Sequence, residues 1–135
     1  MEATTKNRYI EAVGRRKTAI ARVRITPSTK ASFIVNDKDV KEYFTTNDLQ
    51  SIAQEAISKS EVGEKFTVTV KVLGGGIHAQ AEAIRHGLSR TLVERNEEVK
   101  NTLKKLGFLK RDSRQVERKK FGLKKARKAP TWSKR

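Results

Sequence analysis

The chain has 135 residues, 36% of them hydrophobic, and carries a formal charge of +16 at neutral pH. That is apolar material for one modest core and not for two. The absence of cysteine removes disulfides, thiolate zinc sites and thiol nucleophiles together. The charge points to nucleic acid, whose phosphates favour Lys and Arg contacts through counterion release. A membrane surface is the rival, but no stretch approaches the ~20 apolar residues of a spanning helix. No basic amphipathic segment carries the aromatic face of an interfacial anchor either.

In chain order, Met1 to Asn7 lacks the apolar region of a secretory signal, so a cytoplasmic location is expected. Residues 9–13 and 18–25 are expected as strands. In the second, Ala19, Ala21, Val23 and Ile25 alternate with Thr18, Ile20, Arg22 and Arg24, giving one buried and one partly charged face. Gly14-Arg15-Arg16-Lys17 reads as the turn between them and Pro27-Ser28-Thr29-Lys30 as a second turn. Ser32 to Val35 is a short strand that stops at Asn36-Asp37, followed by a turn of helix around Val40 to Phe44. Residues 48–58 form a helix, with Leu49, Ile52, Ala53, Ala56 and Ile57 on one face and N-caps offered by Thr45-Thr46-Asn47.

After Gly63, Phe66, Val68, Val70 and Val72 alternate with Thr67, Thr69 and Lys71 in the clearest strand, which Gly74-Gly75-Gly76 ends. A long helix over 79–94 places Ala81, Ile84, Leu88 and Leu92 on one side. A last helical piece around Val99, Leu103 and Leu106 closes at Gly107. The order predicts a small α+β domain over residues 1–109, a sheet covered on one face by helices.

Residues 110–135 differ in kind. They hold twelve of the 31 Lys and Arg but only two acids, Asp112 and Glu117, which is +10 of the +16 in a fifth of the chain. Val116, Phe121, Leu123 and Trp132 are too few to offset the entropy of ordering such a segment. An extended basic tail that orders on a polyanion is expected. Phe121 and Trp132 among its cations suit stacking on bases of irregular RNA; packing on protein is the other reading.

The chemical motifs are sparse. Gly14-Arg15-Arg16-Lys17-Thr18 lacks the upstream glycine of a P-loop, where Tyr9 stands, and the glycine before the lysine, where Arg16 stands. What remains is a turn of three cations, continued by Arg22 and Arg24, that suits phosphate contact; a solvated charged turn is the plainer reading. The three glycines at 74–76 allow close approach to a phosphate or simply a mobile connection. His78 and His86 have no partner at metal-ligand spacing, and His86 lies beside Arg85 on a basic helix face. Ser89 and Thr91 lack a base within helical reach, and Glu97-Glu98 lie in a polar stretch with nothing to raise a pKa. No enzyme activity, cofactor, metal or small-molecule substrate is expected.

Several blocks together resemble the bacterial-type small-subunit ribosomal protein S-nine family. They are Gly14 through Arg24, Gly74-Gly75-Gly76 through Leu88, Arg111-Asp112-Ser113-Arg114, Glu117 through Arg127, and the closing Ser133-Lys134-Arg135. The resemblance spans nearly the whole chain in the family's order. The chain departs from the family's usual residues at Ala79, Glu82, Ser113 and Trp132.

The resemblance implies a domain similar to the second domain of ribosomal protein S-five, docked on the head of the small subunit. It also implies a tail that threads 16S rRNA toward the P-site tRNA, with Ser133, Lys134 and Arg135 at the anticodon stem-loop. Neighbouring small-subunit proteins are expected partners. The RNA-contacting set is then Arg15, Arg16, Lys17, Arg22, Arg24, Arg85, His86, Arg111, Arg114, Arg118, Lys119, Lys120, Lys124, Lys125, Arg127, Lys128 and Trp132. A nucleoid-like or regulatory DNA-binding protein would also explain the charge, but it calls for a dimerising core or a base-reading helix, and neither is visible.

Overall fold

A computed structural model describes residues 9–61 and 63–132. Five strands form one mixed sheet: β1 (Ile10–Arg16), β2 (Ala19–Pro27), β3 (Ser32–Val35), β4 (Lys38–Asp39) and β5 (Phe66–Leu73), in the order β1-β2-β5-β3-β4. Only β3 and β5 run parallel. The helices are α1 (Val40–Tyr43), α2 (Asn47–Ser60), α3 (Ile77–Arg95) and α4 (Lys100–Lys105), with a 3-10 turn at Glu97–Val99. The expected α+β domain is present.

Alternation builds the core. Ala19, Ala21, Val23 and Ile25 of β2 are fully buried, and so, within a few per cent, are Phe66, Val68, Val70 and Val72 of β5. Ala81, Ile84, Leu88 and Leu92 of α3 meet them, and Ala53 and Ala56 of α2 join the same cluster. Each Val or Ile taken fully from water contributes about 1.5–3 kcal/mol, so these two strands and one helix face supply most of the driving force.

Two expectations need correction. The turn predicted at 14–17 is shorter, because β1 continues through Arg16 and pairs Arg16 with Ala19. Gly14 is therefore a strand residue. A Cβ there would lie 1.9 Å from the Ala83 carbonyl oxygen and 2.3 Å from the Gly87 nitrogen. At Gly87 a Cβ would meet Val23 and the Gly14 nitrogen at 2.8 and 2.9 Å. The two glycines let α3 lie directly on β1, a close-approach role that β-strand periodicity does not reveal.

The second correction concerns Asn36-Asp37. They do not simply end β3 but turn it into β4, with φ of 49° and 66° at the two positions, the positive angles that a two-residue hairpin needs. The Asn36 side chain then extends the ladder. Its amide donates to the Val72 carbonyl and its oxygen accepts from the Val72 N–H, both at 3.0 Å. In addition, α3 begins at Ile77 rather than 79, and within the last helical piece Leu103 is buried while Leu106 is 43% exposed.

Candidate nucleic-acid interface

Three features far apart in sequence meet at one end of the sheet. The first is the β1–β2 turn, Lys17-Thr18. Lys17 adopts φ 54°, the left-handed region that costs an L-residue about 1–2 kcal/mol, and its side chain stands in solvent with that of Arg15.

The second is the glycine run. Gly74 and Gly75 have φ of 76° and 67°, and a Cβ would sit 2.7 Å from the Thr18 carbonyl oxygen or 2.9 Å from the Ala19 side chain. These glycines pack against the start of β2, a role outside both readings left open by the sequence. Gly76, by contrast, faces open space and precedes α3.

The third is the root of the tail. Gly107, at φ 80°, closes α4, and Phe108 is buried behind it. Residues 112–115 then cross the β1–β2 turn. Arg16 is the clamp: its Nε meets Glu82 at 2.6 Å, its Nη2 lies 3.5 Å from Asp112, and its Nη1 donates to the Arg114 carbonyl at 2.9 Å. Gln115 adds a bond to the Lys17 carbonyl at 3.4 Å. The Arg16 side chain is only 15% exposed. Its three partners use most of the guanidinium's donors, so it holds the protein's own tail rather than presenting charge.

Other expected contacts are also engaged within the protein. Arg85 pairs with Glu55 at 3.0 Å and lies 4.9 Å over the Phe108 ring, tying α2, α3 and the tail root together. His86 Nδ1 accepts the Arg15 backbone N–H at 3.4 Å. Burial pushes its pKa below the ordinary value, a backbone hydrogen bond with Leu109 opposes this, and the positive charges of Arg90 and Arg111 add to the lowering. His86 is a neutral connector between β1 and the tail root, not one more cation.

On the open face of the sheet, Arg22 and Arg24 share Glu11 at 2.9 and 3.3 Å, and Arg24 lies 4.5 Å over the Tyr9 ring. The Arg22 hydrogen bond is the main reason that the Glu11 carboxyl is held below its usual pKa. These two arginines remain about half exposed, so they are braced yet reachable. At the root, Arg114 closes on Asp112 at 2.8 Å and holds that carboxyl well below the usual carboxylate range.

Beyond the root the balance changes. Arg118, Lys119, Lys124, Lys125 and Lys128, like Arg111 within the root, are exposed and have no ion-pair partner among the described residues. Lys120 and Arg127 share Glu117. Trp132 is 80% exposed. Ser133, Lys134 and Arg135 lie outside the described residues. No cluster of His, Asp and Glu among the described residues could hold a metal ion.

The model of the family described as Ribosomal protein S9/S16 matches residues 14–135, from the glycine beneath α3 to the last residue of the basic tail. The chain belongs to this family. It is a structural ribosomal protein of the small subunit, and the family is not a family of enzymes. No helix of the described chain is long and apolar enough to cross a membrane.

Reading by residue type missed Glu82, Asp112 and Gln115 as the partners that hold the tail root. It also missed Arg90, which donates to the Val13 carbonyl at 2.6 Å and covers the β1 edge. Arg16 and Glu82 are 66 positions apart, and no local pattern joins them. The one legible signal was Glu82 itself, an acid at one of the positions where the chain departs from the family it resembles.

Proposed function

We propose that this protein binds 16S rRNA in the head of the small subunit in the cytoplasmic ribosome, with its tail reaching the P-site tRNA. The globular part, residues 1–109, docks beside neighbouring subunit proteins. Residues 110–135 lie along rRNA, and Ser133, Lys134 and Arg135 meet the anticodon stem-loop. The observation that supports this most is the charge balance: residues 1–109 hold 13 acids against 19 cations, whereas 110–135 hold two acids against twelve, and five of the seven cations over 118–128 have no ion-pair partner among the described residues. Unpartnered cations in that number suit a dense phosphate field. The family match through residue 135 is consistent with a tail that is part of the working protein.

Within this reading the cations divide by role. Arg15 and Lys17 offer phosphate contacts at the turn, and Arg22 and Arg24 offer further contacts on the open sheet face. Arg16, Arg85 and His86 act indirectly, by fixing where the tail leaves the body. A Lys ammonium and an Arg fork at 134 and 135 suit two phosphates of the tRNA stem-loop.

The test has two arms. The intact protein should bind a 16S rRNA transcript far more tightly than duplex DNA at matched salt; equal affinity would favour the nucleoid-like reading. In reconstituted subunits, removing residues 133–135 should leave assembly unchanged but speed dissociation of P-site tRNA. The expected loss is about 1–3 kcal/mol for two charge-assisted contacts. Charge reversal at Lys134 and Arg135 should speed dissociation further. Equal dissociation rates for all three proteins would remove the tRNA contact and leave rRNA binding standing.

A further inference from the structure

The tail is not uniform beyond its root. Around Glu117 it closes on itself: the carboxylate takes Lys120 on one side and Arg127, at 2.9 Å, on the other. The Leu123 N–H donates to the Lys120 carbonyl at 3.3 Å, and the Lys124 N–H donates to the Lys128 carbonyl at 2.8 Å. Gly122 supplies φ 78° at the bend, and Leu123 and Ala126 are half-buried inside it. One apolar side chain is left out. Phe121 is 100% exposed, although a half-buried leucine lies two residues away.

We propose that Phe121 is a stacking site for an unpaired base of the small-subunit rRNA, held ready by this closed turn. The inference rests on the rRNA-binding reading above and assigns a residue and a ligand class within it. An aromatic ring kept wholly in water loses the burial that any apolar neighbour would give, so a partner must supply it. The surroundings say which kind. Arg118, Lys119, Lys124, Lys125 and Lys128 surround the ring in sequence, are exposed and have no ion-pair partner among the described residues.

An apolar pocket of a protein would leave those charges without counter-ions. A nucleotide answers both needs, with a π-face for the ring and phosphates for the cations. It must be unpaired, because a base inside a duplex has both faces covered. The turn's own hydrogen bonds and the doubly paired Glu117 limit the directions in which Phe121 projects, which lowers the entropy lost on binding.

The test uses the full-length protein and a 16S rRNA transcript, with affinity read across a salt series. Phe121→Ala should bind about 5–150-fold more weakly, the range set by losing one base–aromatic stack. Phe121→Leu should also bind more weakly than the intact protein, and Phe121→Trp should retain or exceed its affinity. The salt slope should be the same in all four proteins, because stacking releases no counterions. Phe121→Leu binding as well as the intact protein would overturn the proposal, since an aliphatic contact would then suffice. A changed slope would overturn it too, by placing the effect in the charges. If the intact protein failed to bind the transcript at all, the rRNA reading itself would fall. That outcome is distinct from binding that survives loss of the ring.

Discussion

The body and the tail use the same residue types for opposite ends. In the body, Arg16, Arg22, Arg24, Arg85 and Arg95 each have a carboxylate within 3.3 Å. Over 118–128, one acid serves two cations and the remaining Lys and Arg have no ion-pair partner among the described residues. Arginine near carboxylates makes geometry: its planar fork fixes α3 against β1 and the tail root against both. Lysine and arginine without carboxylates keep their charge available, which is what the proposed contact with a polyanion would use. Of the body's cations only these arginines have a carboxylate partner among the described residues, so what sets the tail apart is its shortage of acids, two against twelve cations.

The comparison breaks first where the expected effect is largest. Changing Arg118, Lys119, Lys124, Lys125 and Lys128 together to Gln should lower the log–log salt slope of rRNA binding by roughly 3–5 units, at about 0.7–0.9 per phosphate contact. At low salt that is a loss of several decades in affinity. Urea unfolding of the body should be unchanged. An unaltered slope would mean that these cations face solvent in the complex.

The mirror experiment lies in the body. Gly14→Ala places a methyl against the Ala83 and Gly87 backbone, which cannot swing aside, and should destabilise the fold by about 3 kcal/mol. Chemical denaturation reads this directly. Gly76→Ala, at a site with open space, should cost far less and serves as the control.

A smaller effect should sharpen the boundary between the regions. Arg16→Gln leaves Glu82 and Asp112 without their shared guanidinium and should cost about 1–3 kcal/mol, the worth of hydrogen bonds to a charged group. Amide exchange should show residues 112–115 released while the sheet stays protected. The salt slope of rRNA binding should hardly change, since Arg16 does not present its charge outward.

The smallest effect is a pH dependence. Burial holds the folded-state pKa of His86 below its ordinary value of 6.5. The unfolded chain therefore binds more protons in the interval between the two, and stability rises with pH there. The contribution of His86 should be fully present above pH 6.5 and lost as pH falls toward its folded-state pKa. The measurement is unfolding free energy between pH 5 and 8. His86→Gln should flatten this part of the profile, and an unchanged profile would refute a half-buried neutral imidazole.

Much of this was legible beforehand because it is periodic. The alternation in Ala19 to Ile25 and Phe66 to Val72 named the buried faces of β2 and β5, and Ala81, Ile84, Leu88 and Leu92 named that of α3. Composition alone marks residues 110–135 as unlike the rest, with twelve cations and two acids. The β3–β4 hairpin was missed because β4 has two residues, too short for any pattern. Gly14 was read as a turn residue because glycine's commonest use is conformational, whereas here the need is steric.

The sequence by itself thus determined the fold class, the core faces, the basic composition of residues 110–135 and the resemblance to a ribosomal family, since each rests on neighbours at fixed spacing or on composition. Only the tertiary structure decided which cations are engaged. Arg16, Glu82 and Asp112 come together because α3 lies on β1 and the chain returns across both. Ion pairing acts over a few ångströms in space and is indifferent to distance along the chain, so no reading along the chain reaches it.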